Sequence, residues 1–496
     1  MHEDLARRSV NSVKWNAISN VFQIIISFIQ TVVLARLLPI ETFGIYSGAA
    51  AVTTLLGGIS NFGLGGAFTY RCSETEDIEQ TAAVHFTLQI VINLIWTSLM
   101  LAGGFLFIRS KADGYLLAFM VLTLSKTAAN FANTPKFMLS RLVQYKRISI
   151  INITTVFFTL IFSAILAILN QPLWALMTTN IIGFVADFVL LYLWKPVWKP
   201  RLLWIRSTVK YYLDFGSKQV LSRFLSDALD HTDDIWTKTF LGSVPMGFYS
   251  KAYSFALYPS KIISDPIGTV AISTFAEIAA VREKLSDAFH RTNAFLIRSG
   301  FFLVGILVVI APEFIRIFIG ERWMPMMLTF RLMLPFTLFD PMKKSMANLF
   351  VAVGKPEITV KIRAIQLAVM VAGLFTLGKL WGIAGVATAV DLMMVVGIVL
   401  IMRRARTFVD FSLKKFFLFP TVGLVLGMVA SFSIEFWFNG VFTDIAAGLI
   451  KILIFAVSYF GVLFLFDYKE IALVFRMAEK YLFKNLLNKG TSRIKI

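Results

Sequence analysis

The feature that most constrains this chain is a row of long apolar segments running from Val13 to Phe466, separated by short polar turns. A helix needs about 20 such residues to cross a hydrocarbon layer about 30 Å thick, and only a helix satisfies its own backbone there within one segment. About fourteen segments fit. They fall at residues 13–38, 42–66, 81–108, 114–134, 148–169, 173–194, 213–240, 245–274, 292–312, 325–352, 361–379, 381–402, 414–437 and 442–466. The expected fold class is an all-α polytopic membrane protein. Composition agrees, because 57% of the 496 residues are hydrophobic and only 16% are charged, which is too apolar for a surface that meets water.

The formal net charge of +19 is explained by topology before nucleic acid, since Lys and Arg collect in the connections between apolar segments. With the N-terminus on the cytoplasmic side, the loops "SRLVQYKR", "WKPVWKPRLLWIRSTVK", "VREKLSDAFHR", "GKPEITVKIR" and "MRRARTFVDFSLKK" lie inside with the tail "KNLLNKGTSRIKI". That side then carries about 30 basic residues against about 7 on the other, so both termini are expected in the cytoplasm. The single cysteine, Cys72, excludes an internal disulfide framework and any Cys-based zinc spacing. The N-terminal polar stretch leads into an apolar run without a small-residue cleavage site, so it reads as a retained span.

An internal repeat organises the row. "LLPIETFGIYSGA" from Leu37 matches "FLGSVPMGFYSKA" from Phe240, pairing Leu38 with Leu241, Gly44 with Gly247, Tyr46 with Tyr249 and Ser47 with Ser250 at an offset of 203 residues. The expected organisation is two pseudo-symmetric six-helix lobes, residues 1–198 and 199–408. Two extra helices over 409–468 and a basic tail, 469–496, follow. An even number of spans separates the copies, so they share one orientation and substrate belongs between the lobes.

The acidic stretch "LSDALDHTDDIWTKTFLG", Leu225 to Gly242, stands out in so apolar a chain. Residues 217–241 contain neither Gly nor Pro, so a helix is expected, with Arg223, Asp227, Asp230, Asp234 and Lys238 on one stripe at spacings of three and four. At the same offset, Gln23, Ser27, Gln30 and Thr31 oppose Ser226, Asp230, Asp233 and Asp234, so the repeated helices share a polar face. Charges in lipid are costly, and such a stripe must face a bundle interior or a wet cavity. It reads either as a structural salt-bridge ladder or as a proton or sodium site built from Asp227, Asp230 and Asp234. A transition-metal site is disfavoured, because His231 is the only nearby imidazole.

Other charges interrupt the spans, among them Arg36, Lys126, Asp187, Lys251, Asp340, Lys343, Asp391 and Glu435. Arg36, Lys238 and Glu435 are expected to snorkel to an interface. Arg298 and Arg331 lie deeper in apolar sequence. A guanidinium fork matches phosphate, so a cavity with Arg223, Arg298, Arg331 and Lys126 would favour an anionic head group, the alternative being local pairing with aspartates. Pro135, Pro259, Pro266, Pro335 and Pro341 interrupt or end spans, as hinges would. No P-loop, H-E-x-x-H or G-x-S-x-G occurs, which disfavours ATP-driven transport and an enzyme; no cofactor is implied.

Four segments, "VVLARLLPIETFGIYSGAAAV", "LDFGSKQVLSRFLSDALDHTDDIWTKTFLGSVPMGFYSKAYSFALYPSKII", "APEFIRIFIGERWMP" and "LWGIAGVATAV", resemble bacterial polysaccharide exporters of the Wzx flippase type. These belong to the multidrug/oligosaccharidyl-lipid/polysaccharide superfamily. The resemblance implies flipping of undecaprenyl-pyrophosphate-linked oligosaccharide across a bacterial inner membrane for O-antigen, capsule or exopolysaccharide. It also implies coupling to H+ or Na+ and contact with polymerase machinery. The chain departs from the family in "LPIETFG", where Gly-Pro is commoner, and in its acidic seventh span. Alternatives are a cation-coupled multidrug exporter of the same superfamily, a glycan polymerase or ligase, which would need a large external loop, and a noncatalytic scaffold. The last two spans, rich in Phe, would form a polyprenyl groove or simply face lipid.

Overall fold

The computed structural model describes residues 2–74, 77–108, 114–194, 196–437 and 443–472, and these form helices joined by short turns. The helices are α1 (His2–Leu37), α2 (Ile40–Asn61), α3 (Leu64–Glu74), α4 (Ile78–Ile108), α5 (Tyr115–Phe131), α6 (Asn133–Arg141), α7 (Tyr145–Ile168), α8 (Pro172–Phe188) and α9 (Arg206–Phe240). They continue with α10 (Ser243–Ala256), α11 (Tyr258–Ile278), α12 (Arg282–Val309), α13 (Ala311–Phe314), α14 (Met327–Ala352), α15 (Glu357–Gly373), α16 (Lys379–Ala405), α17 (Leu413–Trp437) and α18 (Asp444–Phe466). Among the described residues ten helical segments are long and apolar enough to cross a membrane. One of them, Glu357–Ala405, spans 49 residues and breaks at Trp381 and Gly382 into two passes. With the more polar α9, α10 with α11, and α14, this matches the about fourteen passes expected. The fold is an all-α polytopic membrane architecture. Of the basic tail, residues 473–496 lie outside the described residues, as does the Glu435 side chain.

Packing divides the chain into two compact units, Met1–Lys251 with Gly378–Ile383 and Ala252–Leu377 with Ala384–Ile496. The first therefore holds the helices of the first repeat together with α9 and most of α10, which open the second.

In the first unit α1 packs on α7, α7 on α8, and α2 is enclosed by α4, α5, α8 and α9. Ile45, Ala49, Trp96, Met100, Phe119, Leu122 and Met177 form its apolar core. Beneath them runs a buried amide network. Asn130 donates to Asn93 Oδ1 at 2.8 Å and to Ser60 Oγ at 2.9 Å, Gln89 donates to the Ser60 carbonyl at 3.2 Å, and Trp96 donates to the Leu56 carbonyl at 2.9 Å. Satisfied polar groups of this kind fix the relative rotation of α2, α4 and α5 more sharply than apolar packing alone.

In the second unit α12 is the hub, touching α11, α14, α17 and α18. Two buried ion pairs fasten α12 and α13 to the C-terminal helices. Arg298, 2% exposed, holds Asp467 Oδ2 with Nη2 at 2.5 Å and Nε at 2.9 Å. Its Nη groups also donate to the Ala294 carbonyl at 3.2 Å and the Lys415 carbonyl at 3.3 Å, while the Tyr459 hydroxyl donates to the Arg298 carbonyl at 2.9 Å. Lys451 Nζ lies 2.6 Å from Glu313 Oε1, with both side chains under a tenth exposed. Large apolar residues on the outer side of α17 and α18, including Val425, Val429, Leu449, Leu453, Val457 and Leu465, are exposed and suited to lipid.

Outside the spans, Arg282 clamps Asp410 through Nη2 at 2.8 Å and Nε at 3.0 Å, and His290 meets Glu470 at 3.0 Å. The Arg282 guanidinium holds the Asp410 carboxyl below the usual carboxylate range, and the hydrogen bond with His290 does the same for Glu470. A carboxyl depressed on folding contributes stability that is present above its ordinary value near about 4 and is lost as pH falls through the depressed one. The double variant Asp410→Asn/Glu470→Gln is therefore expected to lose less of its thermal midpoint than the parent between about pH 5 and pH 3. Equal losses in the two proteins would contradict this.

Candidate functional site

The expected helix over the acidic stretch is present: α9 runs unbroken for 35 residues. It lies antiparallel against α2, and the contact begins at the two repeated turns. A Cβ on Gly44 would overlap the Ser243 carbonyl oxygen, and one on Gly247 would overlap the Ile40 carbonyl oxygen. Gly44 matches Gly247, and Ile40 matches Ser243, at the repeat offset. The contact is thus reciprocal, as at an interface between identical surfaces. At the equivalent position in each turn stand the two strongest helix breakers, Pro39 at φ −60° and Gly242 at φ +97°.

Further along α2 the missing side chains of Gly48, Gly57 and Gly58 admit the charged residues of neighbouring helices. The Lys238 stem crosses Gly48. Its side chain is buried, bonds the Ser243 hydroxyl and lies 5.1 Å from the Tyr115 ring centroid, so it does not snorkel as expected. A Cβ on Gly57 would lie 3.2 Å from Lys126 Cε, and one on Gly58 would lie 2.5 Å from Asp227 Oδ2 and 3.5 Å from Arg223 Cγ. Arg223 Nε is 3.3 Å from Asp227 Oδ2, and Lys126 interacts electrostatically with both. Three of the expected site residues, Lys126, Arg223 and Asp227, therefore meet on one glycine pair. Arg223 is the open member, with 63% of its side chain exposed against 14% for Asp227.

Toward the other end of α9, His231 interacts with Asp230, Asp233 and Asp234, its Nδ1 lying 3.5 Å from Asp234 Oδ2. Asp230 is exposed and Asp234 half-buried. Asp233, off the expected stripe, is the most buried of the four. Its Oδ2 accepts from the Tyr249 hydroxyl at 2.5 Å, while its buried Oδ1 has no hydrogen-bond partner among the described residues. Its importance was signalled by the repeat. Tyr249 matches Tyr46, whose hydroxyl accepts from Asn180 at 2.9 Å, and Asp233 matches Gln30, which donates to Ser163 at 3.2 Å. The second copy has a carboxylate where the first has an amide. Among the described residues no three His, Cys, Asp or Glu side chains are placed to hold a metal ion.

The other two expected site residues belong to the second unit. Arg298 is occupied by Asp467 and two carbonyls, so it takes the alternative of pairing with an aspartate, here one distant in sequence. Arg331 stacks over Phe432 at 5.5 Å, with its Nε buried and unbonded among the described residues. Of the remaining intramembrane charges, Asp187 pairs with Lys136 at 2.5 Å, and Asp340 collects Lys344 at 2.9 Å, Lys343 at 3.4 Å and the Ser260 hydroxyl at 2.7 Å. Lys251 lies 4.2 Å from the Phe43 ring centroid.

The chain has relatives among known proteins. The chain is 21% identical over 408 residues to the lipopolysaccharide biosynthesis protein WzxC of Escherichia coli K12, covering 80% of each chain. Its fold is similar to that of the lipid II flippase MurJ in an inward closed conformation, with TM-score 0.71 and 15% identity over 92% of this chain and 99% of that one. A multidrug resistance MATE family transporter in an inward-facing conformation is similar with TM-score 0.61 and 15% identity, covering 77% and 94%. Residues 33–328, more than half of the sequence and including the whole α2–α9 seam, match the polysaccharide biosynthesis protein family, and the chain belongs to it.

Proposed function

We propose that this protein flips undecaprenyl-pyrophosphate-linked oligosaccharide repeat units from the inner to the outer leaflet of a bacterial cytoplasmic membrane, for assembly of a surface polysaccharide. The observation that carries this reading is the charged stripe of α9, set against the glycine face of α2 with Arg223 open and Lys126 beside it. A pyrophosphate bearing a hydrophilic glycan cannot cross hydrocarbon unaided, whereas its polyprenyl tail need never leave it. Arg223 supplies a permanent fork for phosphate and Lys126 a second positive charge. Asp227 neutralises Arg223 when phosphate is absent and releases it when phosphate arrives. The likeness to WzxC and to the MurJ fold supports the same reading.

The lobes 1–198 and 199–408 rock to give alternating access, with both termini cytoplasmic, and H+ or Na+ exchanges at Asp227, Asp230 and Asp234 with Asp233 as a further carboxylate. Contact with polymerase machinery would hand on the product. An acidic stripe also suits a cation-coupled drug exporter, which is the second reading.

In a strain lacking the chain, lipid-linked repeat units are expected to accumulate facing the cytoplasm, and the intact protein to clear them. Arg223→Gln and Lys126→Gln should each lower the clearance rate about ten-fold or more, the scale of one lost charge-assisted hydrogen bond. Neutralising Asp227, Asp230 and Asp234 together should abolish its dependence on the proton or sodium gradient. Unchanged glycan export with altered dye efflux would replace the flippase by the exporter.

A further inference from the structure

The backbone joining α12 to α14 is irregular. After α13 it passes through a wide helical turn at Ile315–Ile319, Gly320 at φ +99° and a tight helical turn at Glu321–Met326. The segment connects the consecutive spans expected at 292–312 and 325–352, so this end of the second unit is placed at the membrane–water boundary. The Thr443 hydroxyl, capping the N-terminus of α18, lies at the same end, since Arg316 Nη1 is 3.2 Å from Asp444 Oδ1.

Here a cavity of about 370 Å³ is lined by Pro312, Arg316, Met324, Met327, Arg331 and Phe432. Its two polar residues are both arginines, and its walls are a phenyl ring, two thioethers and a proline. Arg331 is held over Phe432 with a buried Nε that no described residue accepts from. Leaving such a donor unmet carries its desolvation cost without return, and a bound acceptor would recover it. Among the described residues Arg316 pairs with Asp444 alone, the two side chains are 43% and 45% exposed, and an exposed pair of this kind is weak enough to be exchanged for a bound anion. The neighbouring acid, Glu313, engages Lys451 through Oε1, and its buried Oε2 has no hydrogen-bond partner among the described residues.

We infer that this cavity binds the phosphate of a lipid: Arg316 and Arg331 grip the phosphoryl oxygens, and Met324, Met327 and Phe432 cover the first carbons of the chain. The volume suits a head group, not a long glycan. The inference shares no residue with the Lys126–Arg223 site and does not rest on it. The phosphate comes either from a bilayer phospholipid or from an isoprenyl pyrophosphate carrier.

The test is native mass spectrometry of the full-length protein released from micelles, titrated separately with phosphatidylglycerol, undecaprenyl pyrophosphate, diacylglycerol and undecaprenol. The phosphorylated lipids are expected to bind and their neutral counterparts not. Arg316→Gln/Arg331→Gln should weaken binding about ten-fold or more. Met327→Trp, which fills the cavity while keeping both guanidiniums, should do the same and carries the test if the double variant does not fold. Loss confined to undecaprenyl pyrophosphate assigns the site to the carrier; loss of phosphatidylglycerol assigns it to bilayer lipid. Binding of neutral lipids as tight as that of phosphorylated ones, or binding of both phosphorylated lipids unchanged by Met327→Trp, would overturn the inference.

Discussion

Arg298→Leu is expected to destabilise the second unit by about 3–5 kcal/mol. The reason is asymmetric. The buried Asp467 carboxylate would keep its desolvation cost and lose its counter-charge, and the Lys415 carbonyl would lose a donor. Asp467 shows how narrow the balance is: burial pushes its carboxyl up even with Arg298 in contact. Replacing both partners, as in Arg298→Leu/Asp467→Leu, should recover most of the loss, because an apolar pair removes both desolvation costs together. Denaturation of the purified protein, followed by tryptophan fluorescence, measures both. If Arg298→Leu unfolds no more easily than the parent, the pair is not what holds α18 to α12.

The second large effect falls on the repeated glycines. Gly44→Ala and Gly247→Ala each gain about 1 kcal/mol of helix propensity, yet each Cβ would be driven into a backbone carbonyl, which cannot rotate away as a side chain can. Overpacking of this kind costs about 1–3 kcal/mol and separates the helices, so the net change is destabilising, and leucine at either site should prevent the α2–α9 seam from closing. Gly183→Ala is the control, since nothing lies within 4 Å of its added Cβ, and it should be neutral or stabilising by up to about 1 kcal/mol. Thermal midpoints of the three alanine variants decide. A Gly44→Ala protein as stable as Gly183→Ala would mean that the close approach does not exist.

Much of the fold is written locally. Helix length and apolar runs reveal the spans, and the absence of breakers between residues 217 and 241 makes α9 a helix despite its acids. The repeat exposes a pairing that composition hides, because Gly44 and Gly247 are chemically unremarkable until they are seen to be equivalent. What resisted reading is long-range. Asp467 lies 169 residues from Arg298, and nothing in either local sequence names the other. Stripe spacing favoured Asp227, Asp230 and Asp234 and passed over Asp233, whose partner Tyr249 lies beyond a turn. Lys238 looked like an interfacial lysine because a glycine on another helix makes room for its stem.

The two buried ion pairs of the second unit have a mechanical consequence. On the C-terminal side they engage Lys451 and Asp467, sixteen residues apart, which is about 24 Å of helix. A helix pinned at one level can tilt or slide to suit the bilayer around it; one pinned at two levels cannot. The outer apolar band of α18 therefore acts as a ruler of fixed length. A membrane of another thickness must stretch or thin to meet it, at a cost of fractions of a kcal/mol per Å of mismatch.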